Sequence, residues 1–166
     1  MAVMNSRKHR AFRAAGQAVG GVIIGAPIGE VSLENGARIL WGKLSELPPR
    51  PHLRVLSRIF ILLMGVGAQQ RYSFGVPPDH VVWLMPRTDQ PALMADVEEA
   101  DSISTELRAG GENSLEIPWQ YAAELVCHSD VWRAIELIAE KLLCRPVNAG
   151  EVIDICGSVA DRREIE

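Results

Sequence analysis

The most constraining feature of this sequence is a helical apolar pattern that is interrupted by glycine. Between Ser6 and Ile24, apolar side chains recur at close to 3.6-residue spacing, which predicts an α-helix. These side chains are Phe12, Ala15, Val19, Val22 and Ile23. The same stretch contains Gly16, Gly20 and Gly21, and a glycine inside a helix costs up to about 1 kcal/mol relative to alanine. We therefore expect a neighbouring backbone to pack very closely against these glycines.

The rest of the chain predicts further helices and one hairpin. Alternating apolar residues flank Asn35-Gly36 within residues 30–41, and an Asn-Gly pair between such runs is typical of a tight β-hairpin. Apolar periodicity and capping patterns predict helices over about 52–72, 91–107, 117–127, 131–143 and 148–156. Residues 81–84 are a candidate short strand or buried loop.

Two helix starts carry capping patterns. We expect Ser129 to cap the helix over 131–143, and Asn148 with Glu151 to form a capping box for the last helix. The predicted fold is therefore mainly α, with five to six packed helices and one small β-hairpin. We expect a single domain over residues 1–166, whose tail (158–166) is frayed.

Composition narrows the class of protein. The chain of 166 residues is 48% hydrophobic and 23% charged, which is ordinary for one globular domain. Its net charge of −4 argues against a dedicated nucleic-acid-binding protein. No run of 18 apolar residues occurs, so we expect no membrane span. The basic, acid-free start is typical of a polar helix start or, alternatively, of an organelle presequence.

The three cysteines also indicate the redox state of the compartment in which the protein acts. Cys127, Cys144 and Cys156 have no CxxC spacing and are odd in number, which disfavours a disulfide scaffold and a zinc ribbon. We expect free thiols in a reducing compartment, and hence a cytoplasmic protein.

One segment of the first helix resembles a known motif. Residues 11–19 read Ala-Phe-Arg-Ala-Ala-Gly-Gln-Ala-Val. This run resembles the zinc helix of the FtsH family of ATP-dependent metalloproteases, which reads Ala, aromatic, His, Glu, Ala, Gly, His, Ala, Val. By this resemblance Arg13 and Gln17 stand where the two zinc histidines would be, and Ala14 stands where the general-base glutamate would be.

The order of later features extends the resemblance over residues 10–157. A short hairpin follows the first helix, and residues 63–75 resemble the family's apolar helix that ends in Phe-Gly, with Gln70 in place of an acid. Residues 96–100 resemble the Asp-Leu-x-x-Ala segment that supplies the third zinc ligand, and Asp96 keeps that aspartate. Residues 134–143 and 148–152 resemble the C-terminal helix pair. The stretch between Gly75 and Asp96 is longer than the family needs.

The changed residues remove the zinc chemistry that the resemblance would imply. A guanidinium stays charged and has no lone pair for a metal, and a glutamine amide is a poor zinc ligand. Alanine cannot accept a proton from water. We expect no metal at these positions. Arg13 either pairs with Asp96 in place of the zinc, with Gln17 adding a hydrogen bond, or points to solvent while Asp96 caps its own helix.

Other residue types that carry chemistry are scattered. The four histidines, His9, His52, His80 and His128, show no metal-ligand spacing. His128-Ser129-Asp130 contains three triad residue types, but a triad needs convergence rather than adjacency. Cys127 has no evident partner that would make it a nucleophile. The sequence has no GxxxxGK[ST] motif and hence no P-loop of an ATPase module, and we expect no cofactor.

The sequence thus predicts a non-catalytic pseudo-peptidase domain similar to the FtsH peptidase, with a relic site formed by Arg13, Ala14, Gln17 and Asp96. Such a domain would act as a binding or regulatory module for another protein or a peptide. Two alternatives stay open: a peptidase or hydrolase with a rebuilt active site, and an unrelated helical interaction domain.

Overall fold

The computed structural model describes residues 2–40, 51–75, 95–96, 98–100, 102 and 116–161. Over these residues the chain is mainly helical with one two-stranded antiparallel hairpin, which confirms the expected fold class. The elements are α1 (Ala2–Ile23), β1 (Ile28–Ser32), β2 (Gly36–Ile39), α2 (Pro51–Phe74), α3 (Glu116–Cys127), α4 (Ser129–Leu142) and α5 (Ala149–Asp161). Residues 95–96 and 98–100 are also helical, and we call them the Asp96 segment.

The long helices α1 and α2 pack with almost no space between their backbones. A Cβ atom at Gly16 would lie 2.6 Å from the carbonyl oxygen of Met64 and 2.6 Å from the Cβ of Ala68. From the other side, a Cβ at Gly65 would lie 3.0 Å from the carbonyl oxygen of Arg13. The close backbone contact predicted from the glycines is confirmed, and it places Arg13 directly beside α2.

The hairpin packs against α1 and contains the predicted Asn-Gly turn. Ser32 pairs with Gly36 and Val31 with Ala37 in an antiparallel register. Gly36 has a φ of +65°, a backbone conformation that favours glycine. Val31 also exchanges two backbone hydrogen bonds with Val147, at 2.8 and 2.9 Å, which ties the hairpin to the start of α5.

The two capping predictions have different outcomes. Asn148 and Glu151 form the expected capping box: the Glu151 N–H donates to Asn148 Oδ1 at 2.9 Å, and the Asn148 N–H donates to Glu151 Oε1 at 3.5 Å. The prediction for Ser129 was wrong. Helix α4 begins at Ser129 itself, and His128 is the N-cap residue without a side-chain capping bond.

Helix α5 is longer than predicted. It continues to Asp161 instead of ending near Cys156, because Ile155 and Val159 still pack against the core. Residues 158–161 of the expected frayed tail are therefore helical, and residues 162–166 lie outside the described part.

The core between these elements is mostly aliphatic, in keeping with an aromatic content of 5%. Its fully buried large side chains include Ile59 and Leu63 of α2, Ile135 and Ile138 of α4, and Val31 of the hairpin. Within the described residues, no helix combines the length and apolar character that a membrane span requires. The expected feature at 81–84 and most of the expected helix over 91–107 lie outside the described residues.

Candidate functional site

Three polar side chains meet where α1, the hairpin and the Asp96 segment come together. Arg13 donates to Asp96 from both Nε and Nη2, with Nη2 2.7 Å from Oδ1. Gln17 donates from Nε2 to Asp96 Oδ2 at 3.2 Å. Because residues i and i+4 lie on one face of a helix, both side chains of α1 reach the same carboxylate. The structure thus contains the Arg13–Asp96 pair and not its solvent-exposed alternative.

Gln17 connects this pair to the hairpin. Its Oε1 accepts a hydrogen bond of 3.1 Å from the Ala37 N–H on β2. Two glycines leave the space that its side chain occupies: a Cβ at Gly36 would lie 2.2 Å from Gln17 Oε1, and a Cβ at Gly65 would lie 2.8 Å from Gln17 Cγ. One glutamine therefore joins α1, β2 and the Asp96 segment.

Burial makes the ion pair electrostatically strong. The side chains of Arg13 and Asp96 are 14% and 4% exposed. Burial opposes the charge on Arg13, but the hydrogen bond and charge of Asp96 raise the pKa of the guanidinium above its usual value. Burial also raises the pKa of Asp96, while the hydrogen bond and charge of Arg13 act to lower it. The pKa of Asp96 lies above its usual value because the effect of burial prevails, and Arg13 is the main group that favours the charged carboxylate.

The ion pair forms one wall of a cavity of about 530 Å³. A second ion pair lies on this cavity: Arg58 donates to Glu99 Oε1 from Nε at 3.0 Å and from Nη2 at 2.7 Å. Its side chains are 39% and 43% exposed, so this pair is much better hydrated than the first. The remaining lining side chains are Asn35, Ala37, Arg38 and Ile39 of the hairpin, and Ile61 and Leu62 of α2.

The described lining of the cavity contains no histidine, cysteine or serine. Ala14, the fourth predicted site residue, is fully buried and supplies only a methyl group to the core. Arg13 and Gln17 both donate to Asp96, so the three polar side chains form a hydrogen-bonded link between α1 and the Asp96 segment.

The other sequence candidates lie elsewhere. Cys127 and His128 are exposed at the junction of α3 and α4, and neither lines the cavity. Cys156 is half-buried, and burial raises the pKa of its thiol to about 11, so it is protonated at neutral pH. His9 packs edge-on against Tyr72. The side chain of His52 and all of His80 lie outside the described residues.

Sequence reasoning missed four polar residues of the cavity, Asn35, Arg38, Arg58 and Glu99. Glu99 could have been predicted from the sequence, because it follows Asp96 by three residues and so lies on the same face of the helix. Nothing in the local sequence places Arg58 opposite Glu99, since the two are 41 residues apart.

In the part of the chain that the structure describes, no three histidine, cysteine, aspartate or glutamate side chains are grouped so that they could hold a metal ion. Comparison with protein-family models and with curated proteins finds no match for this chain.

Proposed function

We propose that this chain is a non-catalytic domain similar to the FtsH peptidase, and that it binds a segment of another protein. The observation that carries the proposal is the convergence of Arg13 and Gln17 on the Asp96 carboxylate. By the resemblance these are the three zinc-ligand positions, and zinc ligands must converge on one point. An arginine that bonds to the aspartate supports the idea of a metal site rebuilt as an ion pair.

The side chains at these positions support the non-catalytic part of the proposal. Peptide hydrolysis by the family's route needs a metal-bound water and a neighbouring base. Arg13 has no lone pair to give to a metal, and Ala14 has no group that accepts a proton. Gln17 already uses its amide nitrogen on Asp96 and its amide oxygen on Ala37.

The cavity supports the binding part. Its volume of about 530 Å³ falls within the range of roughly 300–1,000 Å³ that is usual for ligand pockets. It combines an aliphatic wall (Ile39, Ile61 and Leu62) with charged groups, which suits a polypeptide segment better than a wholly apolar ligand. The free state of Cys127, Cys144 and Cys156 supports action in the cytoplasm.

Restoring the two imidazoles tests the proposed origin of the site. The variant Arg13→His/Gln17→His should bind one zinc ion per chain, with Asp96 as the third ligand, whereas the same variant carrying Asp96→Ala should bind none. Zinc is measured by elemental analysis after dialysis, and folding by circular dichroism. A folded double variant without zinc contradicts the proposal. A double variant that stays unfolded in excess zinc also contradicts it, because three converging ligands would replace the arginine.

A casein assay tests the function itself. Fluorescein-labelled casein should show raised anisotropy with the wild-type chain and yield no fragments, with or without added zinc. Cleavage by the wild-type chain would overturn the proposal and favour a hydrolase with a rebuilt active site. If casein neither binds to the chain nor is cleaved by it, the proposed binding function is wrong.

A further inference from the structure

One charged side chain that lines the cavity has no partner among the residues that the structure describes. Arg38, on β2, is exposed, and its guanidinium makes no hydrogen bond or ion pair with the described residues. The other two arginines of the lining are both engaged, Arg13 with Asp96 and Arg58 with Glu99. Arg38 is therefore available to a ligand in a way that its two neighbours are not.

The charge balance of the lining favours an anion. Three arginines face two carboxylates among the described lining residues, which leaves one positive charge uncompensated. A concave site with low-dielectric walls concentrates such a field. A guanidinium binds a carboxylate particularly well, because its planar fork can donate two parallel hydrogen bonds.

The neighbours of Arg38 indicate what accompanies the anion. Ile39 follows it on β2, and Ile61 and Leu62 of α2 contribute aliphatic surface to the same cavity. Asn35, in the hairpin turn, adds an exposed amide that can donate to a carboxylate or a peptide carbonyl. Judged by the described part of the chain, the lining thus offers one unpaired cation, one side-chain amide without a partner and an aliphatic wall.

We infer that the cavity binds a polypeptide segment in which a carboxylate lies next to an aliphatic side chain, with Arg38 as the group that binds the carboxylate. This inference rests on the proposed function, since it specifies the chemistry of the bound segment. A chain terminus and an Asp or Glu side chain offer the same chemistry, so the test contains a probe for each.

The test uses three fluorescein-labelled probes and the full chain. The probes are Ala-Ala-Ala-Leu-Leu with a free carboxyl terminus, its C-terminal amide, and the amide of Ala-Ala-Leu-Glu-Leu. We expect at least one carboxylate probe to bind about tenfold or more tightly than the neutral amide, because a hydrogen bond between two charged groups is stronger than one to a neutral group. The carboxylate probe that binds identifies a terminus or a side chain as the source.

Two variants locate the effect. Arg38→Gln should abolish the preference for carboxylate. The control Arg133→Gln removes an exposed arginine of α4 that does not line the cavity, and it should leave the preference intact. Both changes lower the net charge equally, so a general electrostatic effect would affect both variants.

The test distinguishes a failure of the carboxylate inference from a failure of the proposed function. Equal binding of the amide and carboxylate probes, or an unchanged preference in Arg38→Gln, overturns the carboxylate inference. If no probe binds, the inference also falls, but casein binding without cleavage would still support the proposed function.

Discussion

Replacing Arg13 by methionine should strongly destabilise the protein. The variant leaves Asp96 buried, at 4% side-chain exposure, with only the 3.2 Å hydrogen bond from Gln17. Removing one partner of a buried ion pair costs about 3–5 kcal/mol, because the other charge stays desolvated. For a chain of 166 residues this corresponds to a fall in Tm of roughly 6–20 °C.

The assay is urea unfolding followed by far-UV circular dichroism, with the m-value checked for constancy. Two variants serve as controls. Arg13→Met/Asp96→Leu removes both charges, and it should recover to within about 1 kcal/mol of the wild-type stability or exceed it. Arg58→Met breaks the exposed pair with Glu99, and it should cost only about 0–1 kcal/mol.

The destabilisation by Arg13→Met should also depend on pH. Without Arg13, burial and the charge of Glu99 still raise the pKa of Asp96 in the folded state, and only the charge of Arg58 opposes the rise. The folded protein then binds a proton more readily than the unfolded chain, so the loss of stability shrinks as the pH falls towards the ordinary carboxyl pKa. A loss below about 1 kcal/mol at neutral pH, or a double variant as unstable as Arg13→Met alone, would refute the reasoning.

Three further predictions concern local features. Gly36→Ala should lose about 1–3 kcal/mol more than Gly25→Ala in urea unfolding: both residues have positive φ, but only the Cβ at Gly36 would collide with the buried glutamine. Equal losses would contradict the collision. Gly16→Ala should cost about 1–3 kcal/mol through overpacking against α2, whereas Gly157→Ala, with open space around it, should gain about 0.5–1 kcal/mol; a stabilising Gly16→Ala would disprove the close packing. The hydrogen bonds from Arg145 hold the pKa of Glu151 at about 2, below its usual 4.5, so the stability that Glu151 contributes is present above pH 4.5 and is lost between pH 4.5 and 2. The Tm of Glu151→Gln should therefore lie below that of the wild type at pH 6 and converge with it at pH 2, and a constant difference would argue against the ion pair.

The sequence predicted the parts of the fold that depend on local patterns. The glycines of α1 required a close neighbour, and Asn35-Gly36 required a hairpin; both predictions are confirmed because backbone sterics leave few alternatives. Ser129 is not the N-cap because α4 begins one residue earlier than the capping pattern predicts. Ser129 therefore lies inside the first turn, where serine is also tolerated. The length of α5 was missed because Val159 is held by tertiary packing, which a charged flanking sequence does not reveal.

The candidate site was only partly accessible to such reasoning. Arg13, Gln17 and Asp96 were connected through a resemblance and complementary charge, and the structure brings them together. The sequence did not predict Arg38 and Arg58 as site residues, because no local sequence pattern distinguishes an arginine that lines a cavity from one on an open surface. Their importance arises only when the hairpin, α2 and the Asp96 segment enclose one cavity.

The hydrogen bond between Gln17 and the Ala37 N–H has a consequence for association. A two-stranded hairpin has open edges, and the unpaired N–H groups of such an edge can template strand addition by another chain. Gln17 occupies the Ala37 donor on β2, so a second copy that approached this edge would have to displace a buried side chain. Gln17 therefore also disfavours strand addition at the edge of β2, and hence edge-to-edge aggregation of the hairpin.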